Sequence, residues 1–428
     1  MMALRSVRAL LAAIFLAMAG SGFLATLLAL RLRDAGAGPV TIGWMGTAYF
    51  IGLGLGSLLV FRIIRRVGHI RAFAAFVSTF SATLLAYALY QDTVFWAVLR
   101  LLDGLCMAGI FVCLESWLNE RAPSEGRGGV LAFYMIALYV GQAAGQPLLT
   151  LGDQAALLPL AAASILMSLA VLPVVLTRMP PPSLPEGGAM GLRPLYEASP
   201  LGVVGALTTG IMLGAFYALG GLFAAGIGLD LTGTSWFMTA AILGGVVLQW
   251  PLGLMSDRFD RRQVIIGSLA AAGILALVII LAALALPALL LPAIALFGGV
   301  AFALYPLFVA HANDRLSSEN RVGATGGLVM VYSAGAVAGP VSGAAAMGLV
   351  GPWGLFALIG LVAAATLGFA LRRARLSAPV PSEQQMPYQI LPRTTPVAAS
   401  VLEVQEIPDP AADTDAAGPV ENVPSPGP

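Results

Sequence analysis

Two residues of opposite charge, Arg100 and Asp103, stand three positions apart inside the apolar run 94–116. An ionised side chain in hydrocarbon is costly, so such a pair should face a cavity or a partner. On a helix, positions i and i+3 share a face, so the two can pair with each other. At 1.5 Å per residue they lie roughly 9 and 14 Å in from the start of the run. The chemistry open to them is proton exchange at the carboxylate, with the Arg100 charge biasing its protonation. The other reading is a fixed ion pair that orients the helix. Glu115, on the same run and close in sequence to Asn119 and Arg121, is a further candidate for proton exchange. Its position at the end of the run favours a gate role, bonding to the arginine-rich loop at 62–71. His311 ends another apolar run, where a cation suits a helix C-terminus; proton sensing is the alternative.

Other chemistry is missing from the chain. The histidines, His69 and His311, lie far apart in sequence, and no metal-ligand spacing occurs. Cys106 and Cys113 sit on one apolar stretch, roughly 10 Å apart along a helix axis, too far for a disulfide. They read as small buried hydrophobes. No Ser–His–Asp grouping is present, so neither an enzyme nor a cofactor is expected.

The elements that position these residues follow from composition. Apolar residues make up 59% of the chain and charged residues 10%, too few charges to solvate a water-facing surface. A bilayer core takes roughly 20 apolar residues per helix. Candidate spans fall near 9–30, 41–61, 72–91, 94–116, 129–150, 155–177, 201–224, 235–255, 263–286, 288–310, 323–347 and 353–371. Pro287 and Pro292 split the nearly continuous ninth and tenth. Arg5, Arg8 and Ala17-Met18-Ala19 give the first span the look of a secretory signal, but its apolar run continues to Leu30, so a retained helix is expected. Arg31 and Arg33 apart, the arginines outside the spans collect on one side. That bias predicts cytoplasmic termini in a bacterial inner membrane. A net charge of +1 argues against a nucleic-acid partner.

A repeat halves the chain. Asn119-Glu120-Arg121, then Ser124-Glu125, Arg127 and Gly129, reappear in order as Asn313-Asp314-Arg315, Ser318-Glu319, Arg321 and Gly323, and Gly145 and Gly339 keep the same offset. Duplication of a six-helix unit explains this. The expected architecture is an all-α membrane protein of about twelve transmembrane helices in two pseudo-symmetric six-helix bundles, residues 1–177 and 201–373. A Pro- and Gly-rich cytoplasmic linker, 178–200, joins them, and a tail, 374–428, reads as disordered. Two parallel halves can hold a solute near the midplane and rock about it.

Over residues 5–373 the chain resembles the major facilitator superfamily. The signature loop of that family reads roughly Gly-x-x-x-Asp-Arg-x-Gly-Arg-Arg. The second half carries it as Gly253, Asp257, Arg258, Arg261 and Arg262, with Asp260 in place of the second Gly. In the first half Arg65 stands where Asp is expected, followed by Arg66, Gly68, His69 and Arg71. The resemblance implies that these loops latch the halves in an outward-facing state, which Arg65 puts in question on its side. It implies gating at Arg65, Arg66, Asp257, Arg258, Arg261 and Arg262, with Arg121, Arg315 and His311 at the repeat loops. Glu115-Ser116-Trp117-Leu118-Asn119, the Gln142/Gln146 helix and Ala310-His311-Ala312-Asn313-Asp314-Arg315 resemble the YcaD-like branch. Arg100 with Gly104 is similar to a motif of proton-coupled members. Gly326, Gly335, Gly339-Pro340 and Gly343 fit an antiporter motif, though on the eleventh span rather than the fifth. Small residues at that spacing also let helix backbones pack closely.

The resulting expectation is a monomeric secondary transporter in the lipid bilayer, exchanging protons for a small-molecule substrate. One intramembrane Arg suits an amphipathic or weakly charged solute better than a polyanion. Polar and aromatic candidates for the cavity are Tyr139, Gln142, Gln146, Tyr217, Gln249 and Tyr305, with Tyr49 and Tyr134 behind them; each serves equally as an inter-helix hydrogen bonder. Trp96, Trp117, Trp236 and Trp353 sit near span ends and read as interfacial anchors. A rival from another class is a non-transporting sensor on the same scaffold, signalling through the tail.

Overall fold

The computed structural model describes residues 2–121, 127–177, 182, 189–376, 380–381 and 385–389. Most of the tail, much of the linker and the Arg121 side chain lie outside the described residues. The described chain runs α1 (Met2–Ser21), α2 (Leu24–Asp34), α3 (Pro39–Val67), α4 (His69–Leu89), α5 (Thr93–Arg121), α6 (Arg127–Gly145), α7 (Leu158–Leu169) and α8 (Val171–Val175). It continues through α9 (Leu192–Ala198), α10 (Pro200–Gly226), α11 (Leu231–Arg258), α12 (Arg261–Ala285), α13 (Leu290–Asn313), α14 (Ser318–Val350) and α15 (Gly354–Leu376).

Among the described residues, 11 helical stretches are long and apolar enough to cross a bilayer. The last, Asn320–Leu376, is two crossings: the 3-10 turn Gly351–Trp353 breaks it, and Gly351 there takes φ +72°, a conformation costly for any residue with a Cβ. Twelve crossings result. The ninth and tenth spans separate as expected, at the 3-10 turn Pro287–Leu289.

Three details depart from the sequence reading. The first span is not one helix but α1 and α2, interrupted at Gly22–Phe23. The fifth ends in a 3-10 stretch, Gln146–Asp153, because Pro147 lacks the N–H that would continue the α-helix. Inside the linker, α9 packs against α14: Leu195 is buried, and the Met190 N–H donates to the Gly323 carbonyl at 2.7 Å. Two of the four tryptophans are also not anchors. Trp117 is fully buried against His69 and Phe73, and the buried Trp96 donates through Nε1 to the Tyr90 carbonyl.

The halves repeat each other in packing. α3 lies on α5 and α1 on α6, as α11 lies on α13 and α10 on α14. Glycine sets each approach. A Cβ at Gly52 would overlap the Leu101 carbonyl and one at Gly104 the Tyr49 carbonyl; in the second half Gly244 faces Ala295 and Gly298 faces Ala241 in the same way. Gly141 and Gly145 rest on the Phe15 and Ala19 carbonyls, and Gly335 and Gly339 on those of Leu207 and Ile211. Gly335 and Gly339, which fit a transport motif, are therefore contact points of neighbouring helices, where only a hydrogen leaves room for a backbone.

Candidate functional site

Up-and-down connectivity puts the loops near residues 68, 199, 259 and 316 and the end of α15 at one end of the bundle, the arginine-rich end. At the opposite end the two halves are pressed together. The Thr47 hydroxyl donates to the Val337 carbonyl at 2.9 Å, Gly43 lies on Pro340 and Ala344, and Gly221 lies on Thr26. Toward the arginine-rich end Leu55, Leu58 and Leu59 of α3 are exposed, and a Cβ at Gly128 or Gly129 of α6 would meet nothing within 4 Å.

Between the halves is a cavity of about 980 Å³ counted to its open mouth. Arg100, Tyr139, Gln142 and Tyr217 of the sequence-derived set line it, together with Tyr49. Its walls are unequal: the second half contributes Tyr217, Ala218 and Tyr332, and all the other lining residues come from the first half. Tyr139 and Tyr217 both stack on Phe302, at 5.3 and 5.7 Å between ring centroids. Gln146, Gln249 and Tyr305 sit elsewhere. The Gln146 amide donates to the Gly22 carbonyl at 2.9 Å, repairing the break between α1 and α2. Tyr305 packs on Tyr332 at 5.0 Å, behind the wall. Tyr332, absent from the sequence reading, belongs to the wall; an aromatic on the Gly-rich α14 was the signal available.

Arg100 and Asp103 come together as the spacing predicts. Arg100 Nη1 lies 3.7 Å from Asp103 Oδ2, and the guanidinium sits 4.3 Å over the Tyr49 ring, a cation–π contact. Asp103 is fully buried. It accepts a hydrogen bond from the Thr83 hydroxyl and another from the Tyr87 hydroxyl at 2.6 Å. Arg100 therefore faces the cavity, and Asp103 lies behind it against α4. Glu115 is also buried and accepts from the Tyr134 hydroxyl at 3.4 Å.

The loop residues divide by half. Arg65 and Arg66 are exposed, with no ion-pair partner among the described residues. Asp257 and Arg258 are exposed as well, but Arg261 and Arg262 are buried. Arg261 donates to Asp314 at 2.6 Å, to the Ser256 hydroxyl at 2.8 Å, to Asp257 at 3.4 Å and to the Met386 carbonyl at 2.6 Å. Burial pushes the Asp314 carboxyl up from the ordinary carboxylate range, and the Arg261 charge opposes that rise. His311, buried in the last turn of α13, lines a small pocket with Arg262, Arg315 and Arg373. Cys106 and Cys113 are free and buried.

Comparison with known proteins agrees with this geometry. The family model of the Major Facilitator Superfamily matches residues 10–230 and 201–405. An uncharacterized MFS-type transporter of Enterobacter sp. (strain 638) is 30% identical over 376 residues, covering 86% of this chain and 96% of that one. The MFS-type transporter YcaD of Escherichia fergusonii is 28% identical, covering 87% and 96%. Among solved structures, a mutant of the nucleoside transporter NupG superposes with a TM-score of 0.74 at 13% identity, covering 86% of this chain and all of that one. An inward-facing bacterial homologue of the lysosomal transporter Spinster gives 0.62 at 13% identity, covering 94% and 98%. With both halves matched by the family model, the chain belongs to the Major Facilitator Superfamily of membrane transporters.

Proposed function

We propose that this chain is a secondary active transporter that moves a small organic solute across the bacterial inner membrane by alternating access, coupled to protons. The carrying observation is the cavity between two halves that are pressed together at the end opposite the arginines, an arrangement that rocking about a central site can use. With the arginine-rich end at the cytoplasm, the pressed end is the outer one, which supports an inward-open reading. The wall suits an amphipathic solute with at most one negative charge. Tyr49, Tyr139 and Tyr217 offer ring faces, and Arg100 supplies one cation.

Coupling is assigned to the Arg100–Asp103 pair. A solute reaching Arg100 competes with Asp103 for the guanidinium, which changes the cost of carrying the Asp103 charge in a site this dry. Glu115 is the second carrier candidate. The experiment is reconstitution in liposomes holding a pH-sensitive dye, with a panel of amphipathic weak acids and uncharged metabolites added outside. Wild type should acidify or alkalinise the lumen with at least one compound, and Asp103→Asn should lower that proton movement at least tenfold. Unchanged proton movement in Asp103→Asn refutes its role as carrier. If the panel moves solute in wild type with no pH change, proton coupling itself is refuted.

A further inference from the structure

Residues 385–389 lie in the segment expected to be disordered, yet they are seated against the second half at the arginine-rich end. The contacts form an extended-backbone site. Met386 donates its N–H to Asp314 at 3.0 Å and accepts from Arg261 at 2.6 Å, and Tyr388 donates its N–H to Asp257 at 2.7 Å. Backbone groups paired on both sides by charged side chains are held as a strand is held. The Tyr388 ring lies directly on Gly253, where a Cβ would overlap it, and its hydroxyl is buried beside the Gln249 amide. The glycine of the signature loop thus makes room for an aromatic ring from the tail.

The tether is short. Leu376 ends α15, and the nine residues from there to Gln385 span at most about 30 Å when extended. A segment tied that closely is present at millimolar effective concentration, so modest contacts keep it seated.

We propose that residues 385–389 are a self-binding strap that covers the second half's loop at the arginine-rich end and keeps that end from closing until the tail is released. This rests on the alternating-access reading, since closure of that end brings the first half toward the loop on which the strap is seated. The strap also engages Asp257, Arg261 and Asp314, so those groups are unavailable to the other half while it is seated.

The test uses full-length protein in nanodiscs, with Cys106→Ser and Cys113→Ser. Spin labels go on Arg66→Cys and Gln263→Cys, both exposed at the arginine-rich end, one on each half. The expected result is one long inter-label distance in the parent and a second, shorter population in Tyr388→Ala. Gly253→Ala, which unseats the ring without altering the tail, should do the same. Hydrogen exchange on the same samples should show the Met386 and Tyr388 amides protected at least tenfold in the parent over Tyr388→Ala. Identical distance distributions in all three proteins, or free exchange at those amides in the parent, would overturn the strap. Neither readout needs a solute, so its failure is separable from failure of the liposome assay.

Discussion

The loop after α3 and the loop after α11 are copies of one another, yet they handle charge in opposite ways. In the second half Arg261 is withdrawn from water and bonded to Ser256, Asp257 and Asp314, which ties α11, α12 and the end of α13 into one block. In the first half Arg65, Arg66 and Arg71 point into water, and the inward-facing position is taken by His69, packed 5.6 Å from Trp117. The helices tell the reverse story. Gly104 and Gly298 sit at equivalent places and press on equivalent carbonyls. Duplication has therefore kept what packing demands and released what solvent tolerates. The membrane pair follows the same rule, for where the first half has Arg100 and Asp103 the second has Ile294 and Phe297. That asymmetry gives the cavity a single charged wall.

The comparison breaks most sharply at Arg261. Arg261→Ala leaves the Asp314 carboxylate, whose side chain is 2% exposed, without its cation. Stranding one member of a buried pair costs about 3–5 kcal/mol. The expected outcome is a large drop in the thermal unfolding midpoint in detergent, with Met386 and Tyr388 amides exchanging freely. A midpoint equal to wild type would mean that the second half does not depend on this block.

Next in size is the conserved packing. Gly104→Ala and Gly298→Ala each drive a methyl into a backbone carbonyl, and overpacking of that kind costs about 1–3 kcal/mol. The two should lose similar stability, because the two contacts are the same contact. Gly54→Ala, where a Cβ meets nothing within 4 Å, is the control and should be neutral or slightly stabilising. Unequal losses at Gly104 and Gly298, measured by unfolding midpoint, would show that the halves are less alike than their backbones.

What could be read from residues alone follows the same division. Span number and the two halves were legible because bilayer thickness fixes helix length and the loops 119–129 and 313–323 repeat in order. The Arg100–Asp103 contact was legible because both lie on one helix. Contacts between helices were not. Trp96 and Trp117 occupy span ends, but distance along a helix does not say which face is turned inward. Gln146 fits a solute contact and an inter-helix hydrogen bonder equally well in the sequence, and its partner, the Gly22 carbonyl, is available because α1 breaks there. The seat of Tyr388 depends on Asp257, Asp314 and Gly253 converging from separate elements, and no periodicity in the tail announces it.

The smallest expected effect sharpens the comparison from the other side. Arg66 is exposed at the end of α3, so its charge is already solvated and Arg66→Ala should change stability by no more than about 0.5 kcal/mol. Its position in the last turn of the helix contributes at most a weak dipole term, and that term is screened by salt. Unfolding midpoints of wild type and Arg66→Ala should therefore converge as salt is raised, while the gap between wild type and Arg261→Ala persists, because a buried pair is screened far less than an exposed charge. A salt-independent loss in Arg66→Ala would place that arginine in a buried contact and make the two loops functional equals. Convergence would leave the first-half loop as a solvated charge-bearing edge and the second-half loop as a block held by buried charge.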